Sequence, residues 1–219
     1  DCTQCGRCVD VCPAEARELA GRRMTVAQVV NEVGKDTVFF DDSGGGVTFS
    51  GGEPLSQPAF LLACLEALRE QEIHTALDTC GFGSTEVLLS AAGLCDLFLF
   101  DVKMMDDARH RRLTGASNES ILANLRALAE HHDQIWLRLP IIPGVNDDEK
   151  NLEATAGLAA SLPSVRRVCL LPYHRTAMGK FENLGREYGL ADVQPPSRER
   201  LEELARSFET RGTETQIGG

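Results

Sequence analysis

From residue 47 onward, short apolar segments alternate with helical stripes, and this alternation limits the possible folds more than any other feature. Strand-like segments fall at 47–50, 73–78, 96–103, 134–139 and 166–171, with a last short one at 214–217. Apolar residues at helical spacing lie between them, at 57–71, 85–92, 118–131, 147–161 and 197–211. An earlier stripe of Met24, Val26, Val29, Val30 and Val33 predicts a helix within 23–36. Strands that alternate with helices and are apolar on both faces predict a parallel sheet, open or closed into a barrel. No linker, repeat or low-complexity tract interrupts the chain after residue 20.

The strand at 47–50 runs into Gly51-Gly52-Glu53-Pro54. Paired glycines at a strand end let another backbone or a ligand come close, and Pro54 ends the ladder. Glu53 then stands as a single carboxylate suited to an ammonium partner. In parallel α/β folds, function gathers at the carboxyl ends of the strands. The other ends here read Asp78-Thr79-Cys80-Gly81, Asp101-Val102-Lys103, Arg138-Leu139-Pro140 and Pro172-Tyr173-His174. Each has a plain alternative: Asp78 as a helix cap, Asp101 as the partner of Lys103, His174 as a loop histidine. Five dressed ends on one rim point to a site instead. Glu53 and Asp78 offer carboxylates for an ammonium, Lys103 and Arg138 cations for a carboxylate, and His174 a contact for hydroxyls or a flat base. That inventory suits an amino acid joined to a nucleoside. Phosphate loops of the G-x-x-x-x-G-K-[ST] and G-x-G-x-x-G kinds, and the G-x-S-x-G elbow of hydrolases, are absent from the sequence.

A net charge of −11 over 219 residues disfavours nucleic-acid or anionic-membrane surfaces as partners. No apolar run approaches the roughly 20 residues of a membrane-spanning helix. Four of the eight cysteines fall in the first twelve residues, as Cys2, Cys5, Cys8 and Cys12 followed by Pro13. This C-x2-C-x2-C-x3-C-P spacing predicts an iron–sulfur site in a reducing compartment. Zinc is the rival, but zinc ribbons split their ligands into separated knuckles. By the logic of two-cluster ferredoxins, Cys2, Cys5 and Cys8 hold one cluster and Cys12 serves another. Cys64 reads as a core residue. The chain begins at Asp1, beside a cysteine motif, and is expected to be a fragment lacking its true N-terminus.

With these residues in view, the sequence resembles the activating enzymes of glycyl radical enzymes. These are a branch of the radical S-adenosylmethionine (radical SAM) superfamily related to pyruvate formate-lyase activating enzyme. The likeness rests on the 43–55 run, Asp78-Thr79-Cys80-Gly81, Phe100-Asp101-Val102-Lys103, the 138–147 run and Leu170-Leu171-Pro172-Tyr173-His174; 114–118 and 180–185 are also family-like. The resemblance implies a partial (β/α)6 TIM-like barrel of the radical SAM type lacking its first strand, over residues 21–219. Residues 1–20 would be the C-terminal part of a ferredoxin-type [4Fe–4S] insert. It implies that Gly51, Gly52 and Glu53 meet the methionyl amino group of S-adenosylmethionine. Asp78, Thr79, Asp101, Val102, Lys103, Met104, Arg138 and His174 would line the same pocket. The activity implied is reductive cleavage of S-adenosylmethionine to a 5′-deoxyadenosyl radical, which takes a hydrogen from a glycine of a partner glycyl radical enzyme. A flavodoxin or ferredoxin-type reductant, a monomeric state and a cytoplasmic location complete the expectation.

One departure is large. The family binds its catalytic cluster through C-x3-C-x2-C, and no three cysteines here have that spacing; Cys8 and Cys12 begin it, but position 15 is Glu. The chain by itself is therefore expected to be inactive. Ala177, where many relatives carry glycine, and Cys80, in place of a more usual serine or asparagine, read as neutral. The alternatives are another radical SAM enzyme, such as a mutase or methylthiolase, and a ferredoxin-type electron carrier fused to an inert barrel.

Overall fold

A computed structural model describes residues 5–17, 21–183, 185 and 187–218; Cys2 lies outside the described residues. The described part of the cysteine segment contains one short helix, α1 (Arg7–Asp10). Helix α2 (Val26–Val33) follows, held at its start by a capping box in which Thr25 and Gln28 exchange backbone and side-chain hydrogen bonds. Then come α3 (Thr37–Ser43), β1 (Val47–Phe49), α4 (Pro58–Arg69), β2 (Thr75–Thr79), α5 (Thr85–Ala92) and β3 (Leu97–Asp101). The chain continues through α6 (Asp107–Thr114), α7 (Glu119–His131), β4 (Ile135–Ile141), α8 (Glu149–Ser161) and β5 (Val165–Pro172). It ends with α9 (Met178–Asn183), α10 (Arg198–Glu209) and β6 (Thr215–Ile217).

All six strands are parallel and lie side by side in sequence order. Among the described residues β1 pairs only with β2, and β6 only with β5, so the sheet stays open, as a partial barrel requires. Successive side chains on a strand point to opposite faces. On β3 and β4 one face is fully buried: Phe98, Phe100, Ile135, Leu137, Leu139 and Ile141 are all solvent-free and join the core with helix residues such as Leu65, Leu88, Leu125 and Leu128. Burying one such side chain contributes about 1.5–3 kcal/mol. The sequence reading made both faces apolar. The structure corrects it: the second face of β3 and β4 is only half-buried and carries Asp101 and Arg138 in direct register. This face is the one that needs polar residues.

The helices at 58–69, 85–92, 119–131, 149–161 and 198–209 match the apolar stripes closely. Four of the described helices were not expected: α1, α3, α6 and α9. In α6 only His110 is buried, so no apolar stripe marks it. Its ends mark it instead. Asp106 accepts the backbone N–H of Arg109 at 2.8 Å, and Gly115 closes the helix with φ of +82°. No described helix is long and apolar enough to cross a membrane.

Candidate functional site

Parallel strands in sequence order bring the five dressed ends onto one rim, as the sequence reading expects. The partners on that rim differ from the expected ones. Glu53 follows β1, yet its carboxylate reaches across to β2. One oxygen, Oε1, accepts from Thr79 Oγ1 at 2.6 Å and from the Leu55 N–H at 3.2 Å. The other, Oε2, accepts from the Cys80 N–H and the Cys80 thiol, both at 3.0 Å. An ionised carboxylate has about four acceptor positions, so donors from the protein occupy them all. Glu53 is thus a tie between two strand ends, and its side chain is not a vacant partner for an ammonium. The carbonyls of Gly51 and Gly52, by contrast, receive no donor from any described residue. A side chain added at Gly52 would meet nothing within 4 Å. Open space and free carbonyl dipoles therefore sit where the sequence placed the ammonium contact.

Arg138 is also committed within the protein. Its Nε donates to Asp101 Oδ1 at 2.8 Å, and one Nη donates to Asp78 Oδ1. Asp78 also accepts from Ser50 Oγ at 2.7 Å, and Lys103 Nζ lies 3.5 Å from Asp101 Oδ2. The sequence reading offers Arg138 to a ligand carboxylate; in the structure Asp101 on β3 and Asp78 on β2 take its Nε and one Nη. The network ties β1, β2, β3 and β4 together on the half-buried face, and Lys103, the more exposed cation, is left at its edge.

His174 is exposed, and its Nδ1 pairs with Thr176 Oγ1 at 2.6 Å; among the described residues no hydrogen bond or ion pair joins it to the other rim residues. Val102 and Met104 are 1% and 2% exposed, so they form floor and wall and present no polar group.

A cavity of about 260 Å3 opens beside the rim, lined by Glu53, Cys80, Phe82, Asp101, Lys103 and Met104, and closed behind by α6 and α7. A roomier hollow of about 390 Å3 lies at the amino ends of β1 and β2, around Gly44, Gly45, Ile73 and His74. It holds none of the rim residues and sits at the wrong end of a parallel sheet for a site.

Buried asparagines fix the loops that form the rim, and the sequence reading gave them no role. Asn118 donates to the carbonyls of Met104 and Met105 at 2.8 and 2.9 Å. Asn146 donates to the carbonyls of Lys103 and Pro140 at 2.9 and 2.6 Å, and Asn151 accepts the Met105 N–H at 2.8 Å. Asn124 donates to the carbonyls of Gly81 and Gly83 at 2.8 and 3.0 Å. Cys80, read as neutral, is a site residue: burial, then its bond to Glu53, pushes its thiol pKa up. Gly81 is required by space as well as by its φ of +70°, because a Cβ there would lie 2.3 Å from the Phe100 ring.

Asp107 anchors the turn between α6 and α7. Hydrogen bonds from Arg111 first, then from Ser117 and the Asn118 N–H, hold its carboxyl down to about 2. A depressed folded value means that this stabilisation is complete above the ordinary carboxylate range. It is lost as the pH falls from about 4 towards 2. Asp107→Asn is expected to unfold at a lower temperature than wild type at neutral pH, with the gap closing across that window. Thermal melts of both proteins from pH 7 to pH 2 check this; a gap unchanged down to pH 2 refutes it.

Among the described residues no three of His, Cys, Asp and Glu stand together as a metal site. Cys8 is exposed and Cys12 half-exposed, the chemistry of ligand thiols rather than of core residues. The sequence supplies no C-x3-C-x2-C set, so the residues present do not fit the catalytic cluster of the family, and no step is derived through it.

A strand-ordered parallel sheet with Gly-Gly-Glu at its first described end defines an α/β protein with a strand-end site. Residues 1–155 match the family model of the radical SAM superfamily. The trans-4-hydroxy-L-proline dehydratase activating enzyme of Clostridioides difficile is 40% identical over 249 residues, covering 100% of this chain and 82% of that protein. The isethionate sulfite-lyase activating enzyme of Nitratidesulfovibrio vulgaris is 42% identical over 195 residues, covering 88% of this chain and 62% of the relative. Among solved structures, a domain of pyruvate-formate lyase-activating enzyme from Bacteroides vulgatus aligns with a TM-score of 0.68 and 37% identity, covering 80% of this chain and 99% of that one. The chain belongs to the radical SAM superfamily, in its branch of glycyl radical enzyme activating enzymes. S-adenosylmethionine and a [4Fe–4S] cluster are the cofactors this membership implies.

Proposed function

We propose that this chain carries the S-adenosylmethionine and partner-binding face of an activating enzyme whose protein substrate is a glycyl radical enzyme. The observation that carries the reading is the pair of free carbonyls at Gly51 and Gly52, in open space, beside a carboxylate tie that fixes them. These carbonyls receive the methionyl ammonium; Glu53, Thr79 and Cys80 hold them in place. Lys103 is the cation at hand for the carboxylate, Asp78, Asp101 and Arg138 keep the rim's charge balanced, and Val102 and Met104 form the wall. His174 is the solvent-side contact for the nucleoside. Cys2, Cys5, Cys8 and Cys12, in an insert over residues 1–20, hold accessory [4Fe–4S] iron, with a flavodoxin or ferredoxin-type protein as reductant. A cytoplasmic monomer is the working form. The residues of this chain bind and orient the participants, and the chain alone is expected to generate no glycyl radical.

Gly52→Val tests the reading. Its backbone conformation admits a side chain, and nothing lies within 4 Å, so the fold should be unaffected. Wild-type protein is expected to show saturation-transfer NMR signals from S-adenosylmethionine, and Gly52→Val to lose at least tenfold in affinity at an unchanged melting temperature. No binding by wild type, or equal binding by both, would overturn the proposal.

A further inference from the structure

The cavity beside the rim contains a polar atom that the reading above leaves unused. His110, on α6, is 4% exposed and forms part of the cavity wall. Its Nδ1 lies 2.8 Å from the Ala116 carbonyl and 3.1 Å from Thr114 Oγ1. A carbonyl can only accept, so Nδ1 carries the ring proton. On the neutral ring Nε2 is then an acceptor, and no described residue supplies it with a donor. Nε2 is thus an acceptor without a protein donor on the wall of an open cavity, free to meet a group that arrives from outside.

The remaining wall says what kind of group. Phe82, Val102, Met104, Ile121 and Leu122 make most of it apolar. Glu53 and Asp101 reach the wall, but their charges are already met by the protein's own donors. Lys103 is paired with Asp101. With Lys103 assigned above to the carboxylate of S-adenosylmethionine, a charged occupant of the cavity would find no further counter-charge. At about 260 Å3 the space falls below the roughly 300–1,000 Å3 of sites that enclose whole drug-sized ligands. It is the size of one large side chain. Because Glu53, Asp101 and Lys103 border both the cavity and the rim, whatever fills it is continuous with what lies on the rim. Phe82, 52% exposed, stands at that border.

We infer that this cavity is a specificity subsite for one uncharged side chain of the protein segment presented to the rim. That side chain has an apolar body and ends in an O–H or N–H that donates to His110 Nε2. The identity of the segment rests on the activating-enzyme reading; the chemistry of the cavity does not.

The test uses p-cresol and toluene, which share an apolar body and differ in the donor, titrated into the whole chain by NMR. Expected are shifts at Val102, Ile121 and Leu122, a change at the His110 Nε2 resonance, and at least fivefold tighter binding of p-cresol. His110→Phe should abolish the preference. Leu122→Trp, which fills the cavity and leaves His110 in place, should abolish binding of both probes, and it decides the matter if His110→Phe does not fold. Equal affinities for the two probes, or p-cresol binding that survives Leu122→Trp, would overturn the subsite. Purified trans-4-hydroxy-L-proline dehydratase, a protein of the kind the relatives activate, should displace bound p-cresol. Failure to displace it would overturn the assignment of the occupant to a protein segment. Loss of the activating-enzyme reading would show instead in the S-adenosylmethionine experiment, with the p-cresol result intact.

Discussion

Arg138→Met is expected to lower the stability of the protein by about 3 kcal/mol, and replacing both of its aspartate partners as well should restore most of the loss. The Arg138 side chain is 18% exposed, and those of Asp78 and Asp101 are 20% and 19% exposed. Removing the cation from a buried pair costs about 3–5 kcal/mol, because the anion remains without its partner. Here two anions remain on the neighbouring strands β2 and β3, with Lys103, 3.5 Å from Asp101, as the cation still beside them. Their partial exposure lets water screen them, which places the cost at the lower end of that range. For a protein of this size the loss corresponds to a melting temperature about 6–12 °C lower. In Arg138→Met/Asp78→Asn/Asp101→Asn neither the charge nor the need for it is present, and the new amide oxygen at position 78 can still accept from Ser50. Its unfolding free energy from urea titration should return to within about 1 kcal/mol of wild type. A single variant within that same margin of wild type, or a triple variant no better than the single, would mean that the network does not hold the rim.

A similar loss, again about 3 kcal/mol, is expected for Asn146→Ala, by a different route. Asn146 is 2% exposed. Its amide donates to two carbonyls on different elements, Lys103 and Pro140, while its Oδ1 accepts the Ile142 N–H at 2.8 Å. Alanine takes this partner from three part-buried backbone groups, each worth about 1–3 kcal/mol when left unpaired, with water entry recovering part. The local effect should be as informative as the global one. The segment Lys103–Met105 forms one wall of the cavity and loses its anchor, so amide hydrogen exchange at Met104 and Met105 should accelerate well beyond the global loss. Unchanged exchange there, with stability reduced, would show that Asn118 and Asn151 suffice to hold the loop.

The order of elements, the parallel sheet and the gathering of Glu53, Asp78, Asp101 and Arg138 at one set of strand ends were legible in the sequence, because each depends on short-range pattern. Two periods separate strands from helices, and strands joined by helical crossovers must run parallel, which puts all their carboxyl ends on one side. Gly51 and Gly52 were legible for the same reason: a strand end that needs open backbone excludes side chains.

Which acceptor meets which donor was decided only in the tertiary structure. Glu53 is saturated by Thr79 and Cys80, 26 and 27 residues away, and Arg138 is captured by Asp78, 60 residues away. Nothing in local periodicity carries such pairings, and a sequence reader sees only free charges at strand ends. The burial of the polar residues behaves in the same way. Asn118, Asn124, Asn146 and Asn151 stand in loop- or helix-like stretches that predict exposure, yet they are buried because strand-end carbonyls elsewhere lack partners. His110 is their counterpart: a polar helix with no apolar stripe carries it into the core, and its second nitrogen has been left for something else. The sequence determined where a site must lie. Three-dimensional packing decided which of its groups are already spent on the fold and which remain for a ligand, since hydrogen bonds and charges are satisfied through space and not along the chain.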